Sequence, residues 1–412
     1  MSTDARHAVA LSFLDLSPVP RGGSAADALR NSIDLARVAE RAGYRRYWVA
    51  EHHLAPGVAS ASTPVLVALI AAATDRIRVG SGAVQLPNTP PLLVAEQFGT
   101  VAQLHPGRID LGLGRFDLHK ILSRIRSSQA GETAAAGPVP APPPHRVVDG
   151  LLIPALARYV GDSSMIGLLG GLLGISADQP SPGYDEQVAA IADYLAGTAR
   201  TPDGRPLTVL PAEGAQVQMW VLGSSAGESA HVAGTRGLPF AASYHSVPST
   251  VLDAVAAYRD AFRPSQTLDR PHVMVSADVV VAETDDRARE LAAPYGQWVL
   301  DIRSGRGAQP YVTPAEARSR VWTEEERQAV ADRVTTQIVG SPLTVVDKLA
   351  TLARVTGADE LLVTTITTDH ADRVRSVELL ARAWAGRKAE AWPSPPPETT
   401  GNGSRAIARD TS

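Results

Sequence analysis

The chain of 412 residues contains no cysteine. Disulfide bonds, thiolate metal sites, cysteine nucleophiles and iron–sulfur clusters are therefore excluded outright. The absence is compatible with a reducing cytosol, so a cytoplasmic location is expected. An excess of basic residues is also missing, because the formal net charge is −4 and the isoelectric point about 6.2. Without an excess of positive charge, neither nucleic acid nor an anionic membrane is expected as a partner.

Long hydrophobic runs are absent as well. Residues 1–7 form a short polar start, so no secretory signal is predicted there. The longest apolar stretch, residues 165–175, is too short to span a bilayer. Apolar residues still make up 44% of the chain, which is enough for a large core.

Apolar strand-like segments alternate with helical segments along most of the chain. We predict eight strands, at residues 9–16, 47–53, 77–86, 109–114, 218–222, 240–243, 273–282 and 361–366, each followed by a helix. Such alternation implies right-handed parallel units, and eight units predict a closed (β/α)8 TIM barrel, an α/β fold. A doubly wound sheet gives the same alternation, but its glycine fingerprint is absent after the first strand.

One long stretch breaks this regular spacing. Residues 116–182 carry proline clusters and a glycine-rich run, which is typical of a functional excursion or of disorder. We interpret the stretch as an insertion after strand four of a single barrel domain, residues 1–386. Its apolar run at 165–175 either covers the pocket as a lid or packs as a helix on the barrel's side. The tail, residues 387–412, is rich in Pro, Ser and Thr and is expected to be disordered.

Strand two ends in three ionisable side chains, Glu51, His52 and His53. The carboxyl end of a barrel strand is where barrel enzymes place their catalytic groups. An imidazole suits proton transfer because its unperturbed pKa lies near ~6.5. The alternative for His52 is a structural histidine that is hydrogen-bonded in the core. Glu51 either orients a neighbouring imidazole or closes a salt bridge.

Several ordered blocks of sequence resemble one known family. The blocks are Trp48 to His53, Val79 to Pro87, Ala95 to Gln97, His105 to Arg108 with Gly112 to Arg115, Gly223 to Ser225, and Gly237 to Phe240. Together they resemble the bacterial luciferase-like flavin-dependent monooxygenases, over roughly residues 8–115 and 183–385. The similarity is greatest to the members of the family found in bacterial biosynthetic pathways.

This resemblance implies a barrel that binds reduced FMN at the carboxyl ends of its strands. A separate flavin reductase supplies the reduced FMN in transient contact, O2 is the co-substrate, and the protein is a homodimer. The expected substrate is an apolar or aromatic small molecule, for example a polyketide of antibiotic biosynthesis. Some relatives use the deazaflavin F420 and transfer hydride. An F420- or flavin-dependent dehydrogenase and a non-catalytic flavin-binding protein are therefore the alternatives.

The resemblance also implies roles near the flavin ring. His52 matches the family's catalytic base, with Glu51 beside it. Gly82 and Ala83 match a non-proline cis peptide that lies against the ring, and Gln85 is placed to bind the edge of the flavin. The alternative for Gly82 and Ala83 is that they are simply small residues in a crowded barrel strand.

A phosphate site is expected after strand five. Ser224, Ser225 and Ser229 precede or begin a helix, where free N–H groups and the helix dipole favour a phosphate, although serines there are also ordinary helix caps. Arg115 matches the family arginine that reaches the same phosphate, with a surface salt bridge as the alternative. Beyond Arg115 the chain departs from the family pattern with Phe116 and the residues up to His119, which suggests an unusual substrate pocket.

The remaining histidines and aromatic residues give weaker signals. His231, His245 and His370 are scattered without metal-ligand spacing, so no metal site is expected. Trp298, Trp322 and Tyr311 either line the pocket or belong to the core, and the core is the more common place for a buried aromatic residue.

Overall fold

The computed structural model describes residues 9–129, 145–155, 164–176, 178–179 and 183–387. The strands in these ranges are β1 (Ala10–Asp15), β2 (Arg46–Val49), β3 (Arg78–Ser81), β4 (Val84–Gln85), β5 (Ile109–Gly114), β6 (Arg146–Val148), β7 (Leu151–Ile153), β8 (Val217–Gly223), β9 (Phe240–Ser243), β10 (Val273–Val281), β11 (Ile338–Gly340) and β12 (Glu360–Thr364). Nearly all of the predicted tail lies outside the described residues.

Helices separate most of these strands along the chain. They are α1 (Ala25–Ala42), α2 (Thr63–Ala73), α3 (Pro91–Leu104), α4 (Leu118–Gln129), α5 (Ser164–Leu172), α6 (Tyr184–Ala196), α7 (Glu228–Thr235), α8 (Val251–Ala261), α9 (Asp285–Ala292), α10 (Tyr295–Arg303), α11 (Pro314–Ser319), α12 (Glu324–Thr336), α13 (Pro342–Thr356) and α14 (His370–Arg387). Within the described ranges, no helix combines the length and the apolar character needed to cross a membrane.

Eight of the strands close into a parallel barrel, which confirms the predicted (β/α)8 fold. The order around the barrel is β1, β2, β3, β5, β8, β9, β10 and β12, and β12 pairs again with β1. Outside this ring, β4 pairs with β5 and β11 pairs with β10. The insertion contributes α4, α5 and the antiparallel hairpin of β6 and β7.

Two predicted strands are shorter than the sequence indicated. Strand two ends at Val49, so that Glu51, His52 and His53 lie in the following loop and not in the strand. Strand three is interrupted after Ser81 by a cis peptide bond between Gly82 and Ala83, and β4 continues beyond it. Both breaks place irregular backbone at the carboxyl end of the barrel.

Alternation along the strands divides the core into two parts. Phe13, Tyr47 and Val49 face outward and pack with apolar residues of the surrounding helices. Leu14 and Trp48 face inward and belong to a separate cluster on the barrel axis. This is the side-chain period of two that a strand imposes, here applied to a sheet covered on its outer face.

Buried charges fill the amino end of the barrel. Arg46 Nη1 lies 2.7 Å from Asp110 Oδ2, and Arg46 Nε lies 3.0 Å from Glu360 Oε1. All three side chains are at most 1% exposed. Trp48 Nε1 donates to Asp110 Oδ2 at 2.9 Å, and the Trp48 ring meets Trp220 edge-on at 5.2 Å. Pairing and hydrogen bonding compensate the desolvation of these charges, and the barrel is filled from this end up to the tryptophans.

The absence of a side chain at Gly112 lets β3 and β5 lie close together. A Cβ atom at this position would lie 2.1 Å from the backbone oxygen of Ser81. Ser81 Oγ in turn donates to the Gly112 carbonyl at 3.0 Å and accepts from its N–H at 3.0 Å. The glycine therefore sets the geometry of the strand that carries the cis peptide.

Candidate active site

A cavity of about 660 Å³ opens at the carboxyl ends of the barrel strands. Its lining includes every residue that the sequence suggested for catalysis or cofactor binding, namely Glu51, His52, Gly82, Ala83, Gln85, Arg115, Ser224, Ser225 and Ser229. These residues come from the ends of four neighbouring strands, β2, β3, β5 and β8, and from the loops that follow them. His52 and Ser225 thus face one common space.

His52 lies in the wall of this cavity just beyond β2. Its backbone N–H donates to the Ser60 carbonyl at 2.9 Å, which fixes the loop. Its Nδ1 atom is buried and has no hydrogen-bond partner among the described residues. Burial lowers the pKa of His52 to about 4, and the neighbouring His245 and His53 act in the same direction. The imidazole is therefore neutral near pH 7.

Glu51 is hydrogen-bonded to His53, two residues further along the chain. Its Oε1 lies 3.0 Å from His53 Nε2, so this carboxylate orients His53. Gln85 Nε2 donates to the Glu51 carbonyl at 3.1 Å, and Asn88 Nδ2 donates to Gln85 Oε1 at 3.2 Å. Gln85 is thus held at the edge of the cavity and ties the loop after β2 to the segment after β4.

The cis peptide at Gly82 and Ala83 forms a smooth part of the wall, and it occurs at the position that the resemblance implied. A Cβ atom on Gly82 would lie 2.8 Å from Leu14 Cδ1 and 3.2 Å from Trp48 Cε3. No larger residue fits without moving the barrel interior. The result is a patch of exposed peptide plane, against which a flat ring can lie closely.

Ser224, Ser225 and Ser229 surround the start of α7. The helix begins at Glu228 with Gly227 as its N-cap, so Ser224 and Ser225 precede it and Ser229 lies in its first turn. A Cβ atom on Gly227 would be 3.3 Å from Ser225 Oγ and 3.8 Å from Arg115 Nη2. Hydroxyl groups, a guanidinium and free helical N–H groups therefore converge in one corner, as anion binding requires.

Arg115 is paired within this corner. Its Nη1 donates to Glu228 Oε2 at 3.2 Å, which is the salt bridge considered as the alternative role for Arg115. Its Nε atom is buried and has no hydrogen-bond partner among the described residues. Arg115 thus retains an unused donor beside the serines.

The opposite half of the cavity is built by β9, β10 and β12, and sequence reasoning assigned no role to it. His245 Nδ1 lies 2.6 Å from Ser276 Oγ, and burial together with the charge of Arg333 lowers the pKa of His245 to about 3. Asp278 is ion-paired with Arg333 at 3.3 Å, and both line the cavity. Burial raises the pKa of the Asp278 carboxyl against the opposing effect of Arg333.

A signal for this half was present in the sequence of β10. Ser276 and Asp278 are two polar residues, two positions apart, in an otherwise apolar strand. That spacing points both side chains to the same face of the strand. His245, the partner of Ser276, lies in the loop after β9, and Arg333, the partner of Asp278, lies in α12. No local sequence motif links either residue to β10.

Apolar side chains close the remaining sides. Leu169 of α5 lines the cavity, together with Trp298 and Ile302 of α10. The helix α5 packs on α4 so tightly that a Cβ atom on Gly170 would lie 2.5 Å from Leu122 Cδ1. The apolar run of the insertion therefore reaches the pocket, whereas Trp322 does not line it.

The donor set suits an organic cofactor with a flat ring and an anionic tail. The peptide plane of Gly82 and Ala83, called the Gly82 wall below, can contact a flat ring. The unpartnered Arg115 Nε and the hydroxyl groups of Ser224, Ser225 and Ser229 can bind a phosphate. Among the described residues, no group of three or more His, Asp or Glu side chains could hold a metal ion.

Comparison with known proteins gives a consistent result. The family model for luciferase-like monooxygenases matches residues 10–123 and 169–360. The chain is 39% identical over 389 residues to the Bacillus subtilis protein YvbT, covering 94% of this chain and 100% of that protein. It is 35% identical over 371 residues to a luciferase-like monooxygenase of Escherichia coli K12, covering 90% and 96%.

A solved structure agrees with these sequence matches. The crystal structure of apo-MsnO8 superimposes with a TM-score of 0.70 at 31% identity, covering 92% of this chain and 98% of that one. The chain therefore belongs to the luciferase-like monooxygenase family and is an oxidoreductase.

Proposed function

We propose that this protein is the oxygenase of a two-component system, which uses reduced FMN and O2 to oxidise an apolar or aromatic small molecule. A separate reductase supplies the reduced flavin. The observation that carries the proposal is the single cavity that joins the Gly82 wall, His52 and the corner of Arg115 and Ser225. Reduced FMN would supply the electrons that activate O2, so that one oxygen atom enters the substrate and the other leaves as water.

Each part of the cavity has a task in this proposal. The peptide plane at Gly82 and Ala83 orients the ring, and Gln85 lies at its edge. Ser224, Ser225, Ser229 and Arg115 hold the phosphate. His52 accepts or returns a proton at Nδ1, which its neutral state near pH 7 permits. Leu169 and Trp298 exclude water from the reacting centre.

The half built by β9, β10 and β12 is the proposed place of the organic substrate. Trp298, Ile302 and Leu362 offer it an apolar surface, which favours an apolar or aromatic body such as that of a polyketide. Arg333 and Asp278 lie at the same side and can hydrogen-bond a polar group of that substrate.

We also propose that the protein acts as a homodimer. Val65 and Leu69 of α2 are 59% and 52% exposed, and they lie one helical turn apart on one face. Leu92 and Leu93 of the neighbouring α3 are exposed as well. An apolar patch shared by two adjacent helices favours burial against a second copy.

Anaerobic titration tests the function directly. Reduced FMN and reduced F420 are added separately to the full-length protein, and ¹⁸O2 is then admitted with a panel of aromatic and aliphatic substrates. We expect saturable binding of reduced FMN and one labelled oxygen atom in the product. Binding of F420 alone, with oxidised F420 taking hydride from the substrate and no label entering the product, would indicate a dehydrogenase instead. Flavin binding without turnover of any substrate would favour a non-catalytic protein.

A further inference from the structure

One acidic residue lies in the corner proposed for the phosphate. Glu228 is the first residue of α7, and its Oε2 lies 3.2 Å from Arg115 Nη1 and 3.8 Å from Lys120 Nζ. Lys120 Nζ also lies 3.4 Å from Asp117 Oδ2. Both cations of the corner are therefore already paired with carboxylates of the protein itself.

The charges of this corner cancel. Arg115 and Lys120 carry two positive charges, and Asp117 and Glu228 carry two negative ones. A phosphate monoester adds a charge of about −1.5 to −2 at pH 7. The Glu228 carboxylate stands at the helix start, where a phosphate finds its N–H donors, and like charges at such a distance repel. The phosphate and this carboxylate compete for the same cation.

We propose that Glu228 is a built-in competitor of the cofactor phosphate. In the unliganded protein its carboxylate occupies Arg115 Nη1, so a phosphate that takes this donor must replace Glu228 there. The exchange is sterically possible because the Glu228 side chain is 38% exposed and the Arg115 side chain 31% exposed. Arg115 Nε and Ser225 Oγ beside Gly227 then complete the anion's contacts.

The consequence is selectivity for the phosphorylated cofactor. A flavin without a phosphate contacts the Gly82 wall but leaves the pair of Glu228 and Arg115 intact. Only a ligand whose anion replaces the carboxylate gains the Nη1 donor of Arg115. This inference rests on the proposed use of FMN, and it assigns to Glu228 an effect on the phosphate group and none on the ring.

The test compares reduced FMN with reduced riboflavin on the full-length protein under anaerobic conditions, using quenching of tryptophan fluorescence to measure dissociation constants. Glu228→Gln removes the charge and keeps the size of the side chain. We expect roughly fivefold tighter binding of FMN, since a partly exposed ion pair contributes a factor of this order. Riboflavin binding should not change. In an Arg115→Ala background, the effect of Glu228→Gln on FMN should be clearly smaller, because there is no longer a guanidinium to compete for.

Glu290→Gln is the matched control. Glu290 also pairs with two cations, Arg287 at 2.8 Å and Arg318 at 3.2 Å, and its side chain is 40% exposed. It lies on α9, and neither of its partners, Arg287 and Arg318, lines the cavity, whereas Arg115 does. This variant should bind FMN as the wild type does, and its thermal midpoint should match that of Glu228→Gln.

Each other outcome overturns the inference. Weaker or unchanged FMN binding in Glu228→Gln would mean that Glu228 positions Arg115 and does not compete with the phosphate. Equal tightening of FMN and riboflavin would mean that the charge acts on the ring. If the wild type binds FMN but Glu228→Gln has no effect, the inference alone fails. If the wild type binds neither flavin, the proposed function fails with it.

Discussion

His52 and His245 are two imidazoles that the same cavity holds in the neutral form. Burial is the main cause in both cases, and it lowers the pKa of His52 to about 4 and that of His245 to about 3. A neutral imidazole at the working pH is ready to accept a proton, which is the role proposed for His52.

We predict that His52→Ala lowers turnover by roughly 10²–10⁴, the range for loss of a general acid–base group. The variant should still bind reduced FMN, because His52 lies apart from the phosphate corner. Steady-state turnover and flavin titration on the same preparation measure both quantities. Turnover close to that of the wild type, with flavin binding intact, would exclude this role for His52.

The same two histidines predict a pH dependence of stability. Their pKa values in the folded state lie below the unfolded value of about 6.5, so the unfolded chain binds more protons below that pH. The free energy of unfolding should therefore fall as the pH drops from 6.5 to 4.5, by on the order of 1–3 kcal/mol. Denaturant unfolding at a series of pH values measures this slope. Replacing both histidines by Asn should flatten the slope, and an unchanged slope would assign it to other groups.

The buried charges at the amino end give a prediction of a different kind. Arg46 is the buried cation shared by Asp110 and Glu360. Without it, Asp110 would keep only the partly exposed Arg78, and Glu360 the more distant Arg45 at 3.9 Å. We expect Arg46→Met to lower the free energy of unfolding by about 3–5 kcal/mol. Arg30 on α1 pairs with Asp27, and both side chains are exposed. Arg30→Met should therefore change the free energy of unfolding by less than about 1 kcal/mol. Equal effects of the two changes would contradict the importance of burial.

At the scale of elements, β3 and β5 depend on one glycine. A Cβ atom on Gly112 would lie 2.1 Å from backbone, which cannot move aside as a side chain can. We expect Gly112→Ala to destabilise the protein by several kcal/mol, because the added methyl group overpacks the space between the two strands and strains their backbone. Gly167→Ala is the control, because Gly167 lies in α5 with open space around its Cβ position. Alanine should stabilise that helix slightly, and thermal unfolding would separate the two variants.

Most elements of the barrel could be predicted from the sequence because each carries a local period. Ser24 caps α1 by accepting from the Asp27 N–H, and Gly43 ends the helix with a positive φ of 87°. The helix α4 was missed although Leu118, Ile121, Leu122 and Ile125 follow a helical spacing. The proline clusters beside it hid this local signal.

The site divides in the same way between what sequence can and cannot predict. Its first half lies on contiguous blocks such as Trp48 to His53, so a resemblance could locate it. Its second half joins His245, Ser276, Asp278 and Arg333 through contacts between distant segments. Only closure of the barrel brings these residues together, and no spacing along the chain records that closure.

At the scale of the whole molecule, α2 and α3 present the patch proposed for a second copy. We predict that the wild type is a dimer and that Leu69→Asp shifts it toward monomer, because a charge would be buried in the interface. Leu343→Asp on α13 is the control, since Leu343 is 75% exposed and lies outside the patch. Light scattering coupled to size-exclusion chromatography measures the masses. A monomeric wild type, or dissociation by both variants, would refute this interface.

Among the described residues, the buried ion pairs of Arg46, Asp110 and Glu360 close the amino end of the barrel, and the cavity opens at the carboxyl ends of the strands. In the proposed function, the flavin, O2, the organic substrate and the product all pass through the rim that carries His52 and Ser225. A flavin ring bound against Gly82 would narrow this opening for the ligands that enter after it. Ligands that share one opening must bind in order, so the ligand that lies deepest in the cavity binds first and leaves last.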